Sequence, residues 1–584
     1  MIKLFPNDKE NNIGKAIVMI VIMTLWLLLL LNTKAYFFWF AVIYVAGLFS
    51  LLVNLRNNSL QLRSNHTEEA ISLVFSLSIA LANYDVLYIP MFETFPSVIR
   101  LAVKACGIIV LCLGGWICSY QILLLVKSNI NAGMALQEKE ISPEKVFWIS
   151  FVLIATVNLL VLFLARFPGT LSYDSINQIK QIETGIYDNW NPLADTFFVG
   201  LFYKLGKLLF NNNNAAIAFY MVCQILFMST AFAYAMKLSC KQKVSAIAMI
   251  IELMIYTLTP YHIVYSSTLW KDVLFSGCVT LFSLFGYEII LGNDKNRLGF
   301  ILSGIGVCIF RNNGILAFII LFIAALLLKW FNTKKLASWM LIILIVGGII
   351  RFVPSAVLQL EKPDIVETVG ALPAQQVARV VSDNKELNDY DRALLEKIMD
   401  FDRVKNEYNT KTVDSIKFII RDAGGSEVLA ENINEYMRLY FRLMFKYPIT
   451  YMKAAIDLTK GYWSFGGYDF WNISSEIVHD NDFGIKNIVG CELFSKLTEK
   501  YIWWFNDAMP VKLFRSIGVV TWLLVLIVYI CKKRNDKALM FIPLLALCVT
   551  LTLCMGAPVF AEFRYAYSMF CVAPVATMIC FRKN

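Results

Sequence analysis

The chain is short of charge and of histidine. Only 16% of its 584 residues are charged, and only three are histidine. No CxxC pair and no HxxxH spacing occurs, so no zinc site is written in its pattern. No tandem repeat is present, and the one low-complexity tract is Asn211 to Asn214. The first apolar run, Ala16 to Leu31, lacks a small-residue cleavage site and leads directly into a second run. An uncleaved N-terminus is therefore expected.

What fills the chain instead is apolar. Hydrophobic residues make up 58% of it, in recurring runs close to the length that crosses a bilayer, about 20 helical residues for a ~30 Å hydrocarbon layer. Backbone groups in lipid must be satisfied within the segment, so these runs predict helices. The expected fold class is an all-α polytopic membrane protein. Nearly all of the thirteen cysteines lie in apolar runs, and only Cys491 sits in a large polar segment. A disulfide framework is not expected. The net charge of +10 resides in short loops between runs, where it sets topology. No nucleic-acid partner is expected; the lipid bilayer is.

Fourteen spans are expected. They are 15–31, 36–55, 68–90, 99–126, 146–166, 214–237, 244–260, 268–291, 297–310, 313–330, 336–353, 511–531, 538–555 and 564–581. The 297–310 run is short and holds Gly304 and Gly306, which points to a broken or tilted span. With fourteen crossings the basic loops share one side: Arg56 and Arg63; Lys127, Lys139 and Lys145; Lys237, Lys241 and Lys243; Lys295 and Arg297; Lys329, Lys334 and Lys335; Lys532, Lys533, Arg534 and Lys537; Arg582 and Lys583. That side is read as cytoplasmic, with both termini on it, in a plasma membrane. The condition is that Leu193 to Phe210, with Lys204 and Lys207, lies at the interface and does not cross.

Three regions follow. Residues 1–353 form an N-terminal transmembrane region with a first large outer loop at 168–213. Residues 354–510 form a mostly helical outer domain, since DRALLEKIMDFDRV (391–404) and ENINEYMRLYFRLMFKY (431–447) repeat apolar residues at helical spacing. Residues 511–584 return to the membrane. The aromatic and glycine-rich GYWSFGGYDFW (461–471) reads as loop, whose rings suit either sugar stacking or headgroup anchoring.

Rare ionisable groups gather near the outer span ends: Asp174, His262, Lys271, Asp272, Arg311, Arg351, Glu562 and Arg564. Charge near hydrocarbon is costly, so each is a functional candidate. Glu252 and Glu288 are the exceptions within spans. Asp174, in LSYDSINQ, suits a general base toward a hydroxyl. Ser172 or Asp174 before INQIKQIE equally suits a helix N-cap. Spacing alone leaves both readings open. In TPYHIVYSSTLWKD (259–272), Lys271 suits a phosphate contact and Asp272 a metal or hydroxyl contact. The plain alternative is a snorkelling lysine beside a helix-start carboxylate. His262 reads most simply as an interfacial residue. FRNNG (310–314) places Arg311 at a tip, where arginine binds phosphate bidentately; Asn313-Gly314 is also an ordinary turn pair. EFRYAY (562–567) sets Glu562 and Arg564 at the mouth of the last span, as a site or as a local ion pair. Gln375, Gln376 and Arg379 in ALPAQQVARVV (371–381) share a helical spacing that serves a polar ligand or a solvated face.

Together PGTLSYDSINQ, NWNPLADT, LWKD, RNNG, LPAQQVAR, GYW and EFRYAY resemble an uncharacterised family of bacterial multispan proteins grouped with the GT-C glycosyltransferases. The likeness spans roughly residues 146 to 584; the first four spans add little to it. GT-C enzymes include protein O-mannosyltransferases and lipid A aminoarabinose transferases. The resemblance implies a polyprenyl-linked sugar donor and an aspartate in the first outer loop that acts as base or holds a metal. Asp174 occupies that position. It implies phosphate binding by later basic residues, matched here by Lys271, Arg311 and Arg564. No paired acid adjoins Asp174, and Asn191 stands where related enzymes often carry histidine, so the need for a divalent metal stays open.

The expected activity is sugar transfer from a polyprenyl phosphate or diphosphate to an envelope glycan, lipid or protein on the outer face. Asp174 would be the catalytic base. Substrate would be held by His262, Lys271, Asp272, Arg311, Gln375, Gln376, Arg379, Glu562 and Arg564. The rivals are a flippase of lipid-linked sugar, which Glu252 and Glu288 would serve, an envelope polysaccharide polymerase or ligase, and a non-catalytic scaffold.

Overall fold

A computed structural model describes residues 9–31, 37–56, 66–84, 95–130, 141–188, 191–328, 334–360, 364–369, 372–466, 477–508, 515–556 and 559–582. The basic residues Arg63, Lys139, Lys329 and Lys583 and the aromatic stretch 467–471 lie outside these. Among the described residues the chain is helical, with isolated bridges in place of sheets.

Nine of the described helices are long and apolar enough to cross a membrane, and the bent pair Ala246–Leu258 and Pro260–Ser266 brings the number to ten. The chain is thus a multi-pass membrane protein. The described parts of the remaining expected spans are mostly helical, but His66–Ala82, Arg297–Phe310 and Gly314–Leu327 are short, and Ile517–Arg534 ends in Lys532, Lys533 and Arg534. Leu193–Phe210 is not among the candidate crossings.

Of the two readings, broken or tilted, helix Arg297–Phe310 is not broken. Its glycines serve packing. A Cβ on Gly304 would sit 2.6 Å from Ile343, and one on Gly306 would sit 2.4 Å from the Cys278 sulfur. The missing side chains let this short helix lie against its neighbours, where close contact adds up.

The described basic helix ends meet at one end of the bundle. Buried Glu68 is held by Lys533 at 2.8 Å, Lys127 at 3.3 Å and the Tyr529 hydroxyl at 2.9 Å. Glu288 accepts from Lys241 and Asn296, each at 2.6 Å, and from Tyr234. Lys237 pairs with Glu144 at 2.7 Å, and Arg582 donates to Gln242 at 2.7 Å. Glu288, one of the two acids read within spans, ties helix ends together.

Between the helices Lys334–Val357 and Ile517–Arg534 lies a group of shorter helices with a core of its own, running from Val366 to Tyr451. The helix Leu372–Ser382 presents Val377, Ala378 and Val381 to that core. The first four helices hold another core around Trp26, Phe40, Phe75 and Cys118. Glu68 joins that first group to the end of Ile517–Arg534.

Replacing Glu68 with alanine leaves two lysines facing each other with no anion. The expected loss of stability is about 1–3 kcal/mol, since hydrogen bonds to charged groups are the stronger ones. Thermal unfolding of the purified variant in detergent measures it, and an unchanged midpoint would show that the tie is dispensable.

Candidate functional site

At the opposite end of the bundle an extended piece of chain follows helix Pro143–Ala165. The Phe167–Pro168 peptide is cis, and Gly169 has φ +129. A Cβ there would meet Met221 at 2.7 Å, so both backbone and space call for glycine. Thr170 donates its amide to Ser267 at 2.7 Å and accepts from Leu269 at 3.0 Å. Leu171 does the same on its other edge, donating to Ile477 at 2.8 Å and accepting from His479 at 2.9 Å. Three distant stretches are stitched together here.

This stitch sets the start of helix Tyr173–Thr184. Ser172 is its cap, and Asp174 is a first-turn residue, not the cap. The Ser172 amide donates to Ser175 Oγ at 3.0 Å, Ser175 Oγ donates to the Leu269 carbonyl at 2.7 Å, and Trp270 Nε1 donates to Ser172 Oγ at 2.9 Å. Because serines take the capping work, Asp174 is left to face other groups.

It faces Arg564, whose Nη1 lies 3.3 Å from Asp174 Oδ2. Arg564 Nε is 3.8 Å from Glu562, and its guanidinium lies over the rings of Trp270 and Tyr565. Arg311 pairs with Asp272 at 3.1 Å, donates to the Tyr565 carbonyl at 2.7 Å and stacks 4.6 Å from the Tyr565 ring centre. Lys271 donates to Asn191 Oδ1 at 2.6 Å and interacts electrostatically with Asp174, Asp272, Asp195 and Arg564. Asp174, Lys271, Asp272, Arg311, Glu562 and Arg564 therefore form one cluster. Arg351 stands at its margin, donating to the Asn312 carboxamide at 2.9 Å.

The other sequence candidates go elsewhere. His262 is fully buried among Phe232, Tyr256 and Tyr261 and shares a 2.9 Å hydrogen bond with Tyr567. Gln376 spends both ends of its amide inside the shorter-helix group, donating to Tyr451 at 3.2 Å and accepting from Tyr440 at 2.7 Å. Arg379 pairs with Asp457 at 2.6 Å. Gln375 donates to the Asn409 carbonyl at 2.6 Å. That turn meets the site indirectly: the Lys411 carbonyl accepts the Phe560 amide, two residues before Glu562. GYW, expected to be loop, is the last turn of helix Pro448–Trp463. Its buried Tyr462 hydroxyl donates to the Val559 carbonyl at 2.8 Å and accepts from the Glu562 amide at 3.0 Å. Gly461 lets that helix approach Ala561, where a Cβ would sit 2.2 Å away.

Sequence reasoning passed over Asp195. It is fully buried; Oδ2 accepts from Gln178 Nε2 at 2.7 Å and Oδ1 has no hydrogen-bond partner. As a first-turn acid of helix Leu193–Phe210 it carried no signal beyond an ordinary helix start. Burial pushes its carboxyl up to about 7 from an ordinary 3.8, and burial likewise pushes Glu562 up to about 7 from 4.5. Three cations thus face four carboxylates, two of which take up protons near neutrality, so the cluster can accept an added anion. Among the described residues no group of three or more His, Cys, Asp or Glu is placed to hold a metal ion. An apolar groove of about 410 Å³ begins at Thr196 and runs along Gly200, Leu201, Lys204 and Leu208.

Fold and site together define an all-helical multi-pass membrane protein with a mixed-charge cluster at one end of its bundle. The chain belongs to the family described as a family of unknown function (DUF6020), whose model matches residues 23–584. The match takes in most of the first four helices, which the motifs alone left aside. No curated protein and no solved structure matches the chain.

The two raised carboxyls have a consequence for stability. A group whose folded pKa exceeds its unfolded value supports the fold below the unfolded pKa and loses that support as pH rises to the folded one. Stability is expected to fall between about pH 4 and 7 on account of Asp195 and Glu562. Melting midpoints across this range should decline less steeply in Asp195→Asn and in Glu562→Gln than in the wild type. Parallel curves would contradict the assignment.

Proposed function

We propose that the chain is an inverting membrane glycosyltransferase. It takes a sugar from a polyprenyl phosphate or diphosphate and transfers it to an envelope glycan, lipid or protein at the outer face of the plasma membrane. The observation that carries this reading is the convergence of Asp174, Lys271, Arg311 and Arg564. Reading His66–Ala82, Arg297–Phe310, Gly314–Leu327 and Ile517–Arg534 as passes beside the ten candidate crossings gives fourteen. The positive-inside rule then puts the basic end in the cytoplasm and the cluster outside.

The chemistry follows from the charges. Arg311 and Lys271 meet the donor phosphate, and a phosphate seated between them competes with Asp174 for Arg564. Released from that pair, Asp174 takes the proton of the acceptor hydroxyl as its oxygen bonds to the anomeric carbon. The bond from that carbon to the phosphate oxygen breaks, and its electron pair leaves with the phosphate, which the three cations stabilise. The apolar groove beside Thr196 suits a prenyl chain. Gln375 supports the 409–412 turn, while Gln376 and Arg379 are taken up by Tyr440, Tyr451 and Asp457. His262 packs among Phe232, Tyr256 and Tyr261 and bonds to Tyr567.

A flippase is the second reading, and one feature favours it. The pair Ala246–Leu258 and Pro260–Ser266 bends by 47°, and Glu252 within it is fully buried. Broken helices with a lone acid are a transporter trait.

Envelope glycans of cells with and without the gene, compared by mass spectrometry, separate the two. A transferase loses one sugar substituent; a flippase accumulates intact lipid-linked precursor inside. In the purified protein, Asp174→Asn is expected to lower transfer by about 10²-fold or more while the variant stays folded. A folded variant with full transfer activity would remove Asp174 from the role of base.

A further inference from the structure

Two polar atoms at Lys271 are buried without partners. Asn191 is 2% exposed; its Oδ1 accepts from Lys271 Nζ at 2.6 Å, and its Nδ2 has no hydrogen-bond partner. Asp195 is 0% exposed; Gln178 holds its Oδ2 at 2.7 Å, and its Oδ1 has none. Leaving such groups unpaired in a protein interior is costly. Neither residue is loose: Lys271 and Gln178 orient the two side chains so that one free donor and one free acceptor remain.

A hydroxyl group both donates and accepts. The hydroxyls of a sugar ring can therefore meet Asp195 Oδ1 with a hydrogen and Asn191 Nδ2 with an oxygen. A hydroxyl meets Asp195 Oδ1 in either protonation state, whereas a fully ionised phosphate only accepts and leaves the ionised carboxylate oxygen unpaired. Lys271 touches both environments, since it also interacts with Asp174 and Arg564. We propose that Asn191 and Asp195 form a hydroxyl-reading recess beside the phosphate-binding cations, and that it holds the sugar ring of the donor. This rests on the glycosyltransferase reading and adds to it the group that distinguishes a glycosylated carrier from a bare one. A site built to bond a substrate hydroxyl discriminates strongly against a ligand that lacks it.

The test uses the full-length protein in nanodiscs and two probes: a polyprenyl phosphate, and the same carrier bearing one of a panel of hexoses. Binding is read by native mass spectrometry. At least one hexosyl carrier is expected to bind the wild type on the order of tenfold more tightly than the bare carrier. Asp195→Asn and Asn191→Ala should each bring the hexosyl-carrier and bare-carrier affinities to within about twofold of each other. Arg311→Ala should weaken both carriers alike. If Asp195→Asn fails to fold, Asn191→Ala carries the test, because it removes a free donor on a connecting segment.

The recess is overturned if the two variants weaken both carriers equally, or if they leave the hexose advantage intact. The first result makes the pair a structural support of Lys271; the second places the sugar elsewhere. If the wild type binds neither carrier better than a neutral prenol, the glycosyltransferase reading itself fails and the recess falls with it.

Discussion

Thr170 joins two parts of the chain that the site cannot do without. Its amide goes to Ser267 and its carbonyl to Leu269. That pair of bonds fixes the helix carrying Asp174 against the helix carrying Lys271 and Asp272. Gly169 makes the approach possible, because a side chain there would be driven into Met221. Backbone groups buried near a membrane must find partners within the protein, and here the partners are other segments of the same site. Satisfying the backbone and assembling the charges are one event.

The charges obey the same constraint. A guanidinium or carboxylate close to hydrocarbon persists when it is paired. Arg311 meets Asp272 and Arg564 meets Asp174, each beside an aromatic ring. Were an anion to enter, the arginine would keep an anionic partner and the displaced carboxylate would lose its own. In the proposed transferase, Arg564, shared between Asp174 and Glu562, couples phosphate binding to proton acceptance. At the basic end of the bundle Glu68 and Glu288 solve the same problem with lysines and serve only to tie helix ends together.

Much of the architecture could be read from the residues. Apolar runs mark the helices because lipid leaves no other way to satisfy a backbone, and the spacing in 391–404 and 431–447 marks the shorter helices with their own core. The charged cluster was legible too, since Asp174, Lys271, Arg311 and Arg564 stand out against long stretches without charge. Other residues misled for definite reasons. Gly304 and Gly306 suggested a break and instead permit contact with Ile343 and Cys278. Gln376 and Arg379 share a helical face, but their partners, Tyr440, Tyr451 and Asp457, lie far along the chain. GYW reads as aromatic loop, yet Tyr462 is a buried post that holds the turn before Glu562.

By itself the sequence determined that this chain lives in a membrane, that it is helical, and that its rare charges collect near span ends. Those properties depend on composition and local periodicity, which a linear string carries in full. Only the tertiary structure decided that Ser172 caps the helix in place of Asp174, that His262 belongs to an aromatic cage, and that Asp195 and Asn191 meet at Lys271. The reason is distance. Lys271 and Asn191 are separated by 80 positions and Asp174 and Arg564 by 390. No local preference links residues so far apart; their contact is fixed by how the helices pack.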